Sequence, residues 1–136
     1  MSYLLDTNIL SETLRAQPNR GVKKWLQEIP SEAHYISVVT IGEIRRGIEK
    51  LGDNRRKSHF IAWLEYDLPK WFGSNILPIN LEIAERWGYI TSTVNHSFIA
   101  VDTLLAATAL THNLKMVTRN VKDFTIPGLE VINPFE

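Results

Sequence analysis

Asp6, Glu43 and Asp102 are the residues of this chain whose type and spacing could do chemistry, because each falls where a short apolar run gives way to a helical pattern. Asp6 ends Tyr3-Leu4-Leu5 and opens Asp6-Thr7-Asn8. Glu43 follows Tyr35-Ile36-Ser37-Val38-Val39 within Thr40-Ile41-Gly42-Glu43, and Asp102 starts the apolar run Thr103-Leu104-Leu105-Ala106-Ala107-Thr108-Ala109-Leu110. In an open parallel α/β sheet, residues just past the carboxyl ends of the strands converge on one crevice. Carboxylates gathered there repel one another unless a cation sits between them, and oxygen donors select a hard ion such as Mg²⁺ or Mn²⁺. The chemistry this implies is metal-assisted cleavage of a phosphodiester.

Each acid also has a purely structural explanation. Asp6-Thr7 reads as an N-cap or Asx-turn, Thr40-Ile41-Gly42-Glu43 matches a capping box, and Asp102 suits the positive end of its own helix. Capping alone, however, gives no reason for acids from three separate segments to fall at equivalent strand-to-helix places.

The elements that must position these acids alternate short β-branched runs with longer helical stretches, which predicts an α/β fold with a parallel sheet. Strands are predicted at 3–6, 35–38, 76–79, 115–118 and 129–132. Pro78 marks the third as an edge, because proline cannot donate to a ladder. Helices are predicted at about 8–14, 20–29, 41–50, 55–70, 81–94 and 102–111, with Pro18 and Pro30 as stops, Pro69 shortening the fourth, and Gly52-Asp53-Asn54 as a turn. No internal repeat, low-complexity tract or linker interrupts 1–136, so a single domain is expected.

Composition narrows the class. The chain has 136 residues, 44% of them hydrophobic, which suits a globular protein with a genuine core. It contains no cysteine, so disulfides and thiolate metal sites are excluded and a reducing compartment is expected. The opening residues lack a basic-apolar-small leader pattern, and charges interrupt every apolar stretch; a cytoplasmic protein with no membrane partner is the expectation. Fifteen Lys+Arg balance fifteen Asp+Glu, so overall charge announces no polyanion partner. The charges are uneven, though: Arg45-Arg46, Lys50 and Arg55-Arg56-Lys57 face only Glu49 and Asp53. That run reads either as a solvated helix face or as a phosphate-tracking patch, with Arg45 and Arg46 the candidate contacts. The tryptophans at 25, 63 and 87 lie at helical spacing among apolar residues and are read as core, while Trp71-Phe72 after Pro69 is placed nearer the surface or a subunit interface.

Four blocks together resemble the PIN-domain family, in the form of the VapC/FitB-type toxins. They are Leu4-Leu5-Asp6-Thr7-Asn8-Ile9-Leu10-Ser11-Glu12, Thr40-Ile41-Gly42-Glu43-Ile44-Arg45-Arg46-Gly47, Asp102 before Leu105-Ala106-Ala107-Thr108-Ala109, and Val117-Thr118-Arg119-Asn120-Val121-Lys122-Asp123-Phe124. The likeness runs on to Asn133-Pro134-Phe135. It implies a three-layer α/β/α fold around a five-stranded parallel sheet. It also implies an acidic centre of Asp6, Glu43 and Asp102 holding Mg²⁺ or Mn²⁺, with Thr7 or Thr118 supplying hydroxyls. The fourth acid departs from the common pattern: the place after Thr-Arg, often Asp in relatives, is Asn120, while others carry the acid before Phe, here Asp123. Asp123 is read as an outer ligand or water-orienting group and Asn120 as hydrogen-bonding support; a second metal is correspondingly uncertain, since Asn brings no charge.

The function the resemblance implies is endoribonuclease toxin of a type II toxin–antitoxin pair. Such an enzyme cuts RNA, tRNA being common in the family, to 5′-phosphate and 3′-hydroxyl ends. The implied partners are a small DNA-binding antitoxin and a second copy of the chain, within a larger toxin–antitoxin assembly. Metal-free ribonucleases instead need an acid–base pair, commonly histidines, and His34, His59, His96 and His112 form no paired motif. A second reading is a catalytically silent relative serving as corepressor in a DNA-bound complex. A third, a phosphatase-like protein, lacks Asp-x-Asp-x-Thr because Asn8 takes the second acid's place.

Overall fold

The computed structural model describes residues 1–93 and 100–135. Its centre is β1 (Tyr3–Leu5), flanked by β2 (His34–Ser37) on one side and β4 (Lys115–Val117) on the other; β3 (Ile76–Leu77) and β5 (Val131–Ile132) are the edges. All four pairings are parallel, and the order is β3-β2-β1-β4-β5. The sheet direction of travel reverses between β1 and β4, the kind of place where open α/β sheets bind ligands.

Alternation along each strand builds a core on both faces. Leu5, Ile36, Ile76 and Val117 point to one side, where α1 (Thr7–Glu12), α2 (Arg20–Glu28), α3 (Val38–Glu49), α4 (Arg55–Ala62) and α5 (Leu68–Phe72) pack. Leu4, Tyr35, Leu77 and Met116 point to the other, against α6 (Leu81–Thr93), α7 (Ala100–Thr111) and the 3₁₀ turn at Val121–Phe124. This is the expected three-layer α/β/α arrangement with five parallel strands. Leu4 and Leu5 are both fully buried; at about 1.5–3 kcal/mol per such side chain, β1 is firmly fixed. Among the described residues, no helix is long and apolar enough to cross a membrane.

Several boundaries differ from the sequence reading. The second strand stops at Ser37, whose hydroxyl caps α3 by accepting from the Val39 amide at 3.0 Å. The β-branched pair Val38-Val39 therefore opens a helix, its strand preference overridden by the cap. The third and fifth strands are shorter than expected, because Pro78 ends one pairing and the edge residues before Val131 have no partner register. Pro69 does not shorten its helix: the chain runs on from α4 through a π-turn at Trp63–Asp67 into α5, where Pro69 sits in the first turn. Proline there needs no amide donor, and the wider turn absorbs the change of register. Val94, the expected end of the sixth helix, lies outside the described residues, as does His96.

Trp63 is buried, whereas Trp25, Trp71 and Trp87 are half-buried. All are tied into the fold. Trp25 stacks on His34, Trp71 Nε1 donates to His34 Nδ1 at 3.1 Å, and Trp87 Nε1 donates to Thr103 Oγ1 at 2.9 Å. Burial pushes the His34 imidazole down, and its Nδ1 serves as the acceptor for Trp71.

Candidate active site

Asp6 follows directly on β1, and its backbone amide donates to the Val117 carbonyl of β4 at 3.0 Å. Its carboxylate performs two tasks at once. Oδ1 caps α1 by accepting from the Thr7 amide at 2.8 Å, and Oδ2 accepts from the Thr118 hydroxyl at 2.7 Å. Asn8 adds a third donor, its Nδ2 lying 3.3 Å from both Asp6 Oδ2 and Thr118 Oγ1. The capping and functional explanations of Asp6 thus coexist on one side chain.

Glu43 reaches the same place from a different starting point. Because α3 begins at Val38, Glu43 lies more than one turn inside the helix rather than at its mouth. The capping box does not form: Ser37 takes the cap, Thr40 is buried within the helix, and Glu43 Oε1 accepts from Thr7 Oγ1 at 3.0 Å. Asp102 likewise is no cap, since α7 is already helical at Ala100 and Asp102 stands in its first turn.

The fourth position resolves into two neighbours with different attachments. The Asn120 amide donates to Thr118 Oγ1 at 3.0 Å, and the Asn120 carbonyl accepts from the Asp123 amide, starting the 3₁₀ turn that carries Asp123. Asp6, Glu43, Asp102, Asn120 and Asp123 all line one cleft of about 570 Å³, with Thr7 and Asn8 on its wall. Thr118 is fully buried beneath it.

The charges inside the cleft are felt mutually. Burial, then the charges of Asp6, Asp123 and Glu43, push the Asp102 carboxyl up to about 6. Burial is also the largest cause raising Asp6, opposed by its bonds from Thr118 and Thr7 and reinforced by Asp123. Glu43 is raised by burial and by Asp6, against the Thr7 bond and the nearby Arg46 charge. An all-oxygen donor set whose members disfavour one another's ionisation fits a hard divalent cation. The fit is to an open cleft rather than a finished cage, since among the described residues no three acidic or histidine side chains close up to ligating distance.

The two arginines singled out from sequence differ in setting. Arg45 is taken up by Glu65 at 2.8 Å and Glu49 at 3.2 Å, while Arg46 is exposed and acts on Glu43. Glu12, Arg15, Arg119 and Phe135 also line the cleft and were not singled out. Glu12 is buried and accepts from the Asn19 amide at 2.7 Å, a contact across an irregular loop that no periodicity reveals. Beside the acids, a second groove of about 460 Å³ shares Thr7, Ser11, Arg15 and Glu43 and runs between Leu14, Ile48, Phe60 and Trp63.

A parallel sheet with carboxylates gathered at its reversal point is the arrangement in which open α/β domains bind ligands, and comparison with known proteins gives the family. Residues 3–125 match the PIN domain. The chain is 36% identical over 135 residues to toxin FitB of Neisseria gonorrhoeae, covering 97% of each. It is 30% identical to VapC ribonuclease Y4jK of Sinorhizobium fredii, covering 98% of this chain and 97% of the relative. The solved structure of FitAB bound to an IR36 DNA fragment superposes with a TM-score of 0.89 at 32% identity, covering 98% of this chain and 96% of that one. The chain belongs to the PIN-domain family, among its VapC/FitB-type toxin–antitoxin members.

Proposed function

We propose that the chain is a Mg²⁺- or Mn²⁺-dependent endoribonuclease, the toxin of a type II toxin–antitoxin pair, working in the cytoplasm. The observation that carries this reading is the single cleft lined by Asp6, Glu43, Asp102 and Asp123, in which the charges of Asp6, Asp123 and Glu43 add to burial in raising the Asp102 carboxyl. A relative named as a ribonuclease supports the RNase class. In this reading Asp6, Glu43 and Asp102 hold the metal. When bound, such an ion polarises a phosphoryl oxygen and makes water more acidic.

The residues of the chain do the rest. Thr118 and Asn8 fix the Asp6 carboxylate, and Thr7 fixes Glu43, so their oxygens meet the substrate in set directions. Asp123 accepts a hydrogen bond from the attacking water, and Arg46 lends positive charge near Glu43. Hydrolysis by water forms a new P–O bond and breaks the bond to the 3′-oxygen, which leaves with a proton as the 3′-hydroxyl; the phosphate stays on the 5′ end. The partners proposed are a structured RNA such as tRNA, a DNA-binding antitoxin, which the solved structure of FitAB bound to a DNA fragment supports, and a second copy of the chain.

The test uses purified protein free of antitoxin, structured RNA, and Mg²⁺ or Mn²⁺. Cleavage should stop in EDTA and return on adding metal, and products should accept 3′ ligation directly. Undiminished cleavage in EDTA, or cyclic phosphate ends, overturns the mechanism. Metal-independent DNA corepression without any cleavage would favour the silent-relative reading instead.

A further inference from the structure

Arg119 and Phe135 face each other on the wall of the acidic cleft, with the guanidinium carbon 4.9 Å from the ring centroid. Both are placed by the sheet. Thr118 donates its amide to the Ile132 carbonyl at 2.9 Å, so the segments leaving β4 and β5 emerge side by side. The Arg119 amide then donates to Asn8 Oδ1 at 3.1 Å, and the Phe135 amide donates to Asn133 Oδ1 at 3.0 Å, turning the tail back over the cleft. One residue before Arg119, Thr118 is bonded to Asp6. The cation is therefore in fixed register with the acids.

Among the described residues its charge is uncommitted. Arg15, the other arginine lining the cleft, has Glu12 at 3.8 Å, and Arg45 is bonded to two glutamates. Among the described residues no carboxylate engages the Arg119 guanidinium, which lies over the Phe135 ring. The charges that raise Asp102 are those of Asp6, Asp123 and Glu43. A guanidinium over a ring uses its face for that contact and keeps its in-plane N–H donors for a planar or tetrahedral oxyanion. Immobilising a long side chain in advance also lowers the entropy lost on binding.

We propose that Arg119 binds an RNA phosphate adjoining the scissile one, and that Phe135 is the positioning residue that holds it there. The inference rests on the endoribonuclease reading for what the cleft cuts. A phosphodiester fits because it presents paired anionic oxygens at the edge of a cleft whose acids repel the backbone. Arg119 thus brings the strand in beside the acids.

The experiment measures binding of fluorescently labelled bulk tRNA in EDTA, across a salt series, for the full-length chain. R119Q should weaken binding about five- to tenfold and lower the slope of log K against log salt by about 0.7–0.9, the size of one lost phosphate contact. R119K should recover part of the loss, since lysine keeps the charge without the fork. F135L should weaken binding about two- to threefold, F135Y should match wild type, and R119Q/F135L should bind no worse than R119Q. With Mg²⁺ present, the R119Q loss should appear in KM more than in kcat. An unchanged salt slope in R119Q, independent additive losses in the double variant, or no tRNA binding by wild type overturns the proposal. Failure of wild type to cleave would remove the endoribonuclease reading, while the EDTA arm scores Arg119 without any turnover.

Discussion

The Thr118 hydroxyl donates to the Asp6 carboxylate across 2.7 Å while accepting from the Asn120 amide at 3.0 Å, so one buried hydroxyl ties the first strand's acid to the turn that carries the fourth. Replacing it with valine keeps the shape and removes both bonds, together with the longer one from Asn8 Nδ2. Thr118→Val should cost about 1–3 kcal/mol, the scale for leaving a buried polar group without its partner. It should also slow cleavage, because Asp6 loses its fixed direction. Chemical denaturation and RNA cleavage on the same preparation check this, and wild-type values in both would end the positioning role.

At Glu43 the proposed metal-holding role and a capping role make opposite forecasts. Its carboxylate bonds Thr7 and not a helix end. Glu43→Gln should therefore abolish metal-dependent cleavage with melting temperature held or raised, and Asp6→Asn and Asp102→Asn should also abolish cleavage. A variant that melts early yet still cuts RNA would return Glu43 to a structural role.

Asp102 sets a pH dependence. Its folded pKa, about 6, lies above the ordinary 3.8, so the folded state favours the protonated form. The associated stability is fully present below about pH 4 and is lost as pH rises through 6. The shift alone would correspond to about 3 kcal/mol, but the side chain is half exposed and solvent screening reduces it to about 1 kcal/mol. In EDTA, Asp102→Asn should thus raise the melting temperature at pH 8 and leave it nearly unchanged at pH 4. Equal effects at both values would contradict the charge crowding.

The fourth acid is decided by two variants. Asp123 acts on both Asp6 and Asp102, whereas Asn120 contributes backbone bonds to the turn. Asp123→Asn should weaken Mn²⁺ binding and rate by about tenfold or more, the scale of losing an outer-shell partner, and Asn120→Asp should be tolerated or activating. Calorimetric titration of Mn²⁺ into each measures it, and wild-type affinity in Asp123→Asn would end the assignment.

The layered sheet was legible because its two-residue alternation and helical spacing are strong, local patterns. Leu4 and Leu5 go to opposite faces as their neighbours in sequence require. Glu43 was legible as a cleft acid but not as a mid-helix one, because a single serine cap at 37 moved the helix start ahead of two β-branched residues. The Pro69 helix misled for a similar reason: a π-turn relieves the missing donor, and nothing in composition announces it. Arg119 and Phe135 were invisible as a pair, since only the β4–β5 register brings them together.

The strand order has a consequence in time. The central strand β1 is synthesised first but finds its β4 neighbour, with Tyr3 beside Lys115, only after most of the chain exists. Parallel pairings between such distant segments close slowly, because a long loop must be ordered before contacts reward it. Asp6 therefore leaves the ribosome long before Thr118 and Asp123 arrive to complete its surroundings. The acidic cleft is thus complete only once the strands synthesised last have joined the sheet.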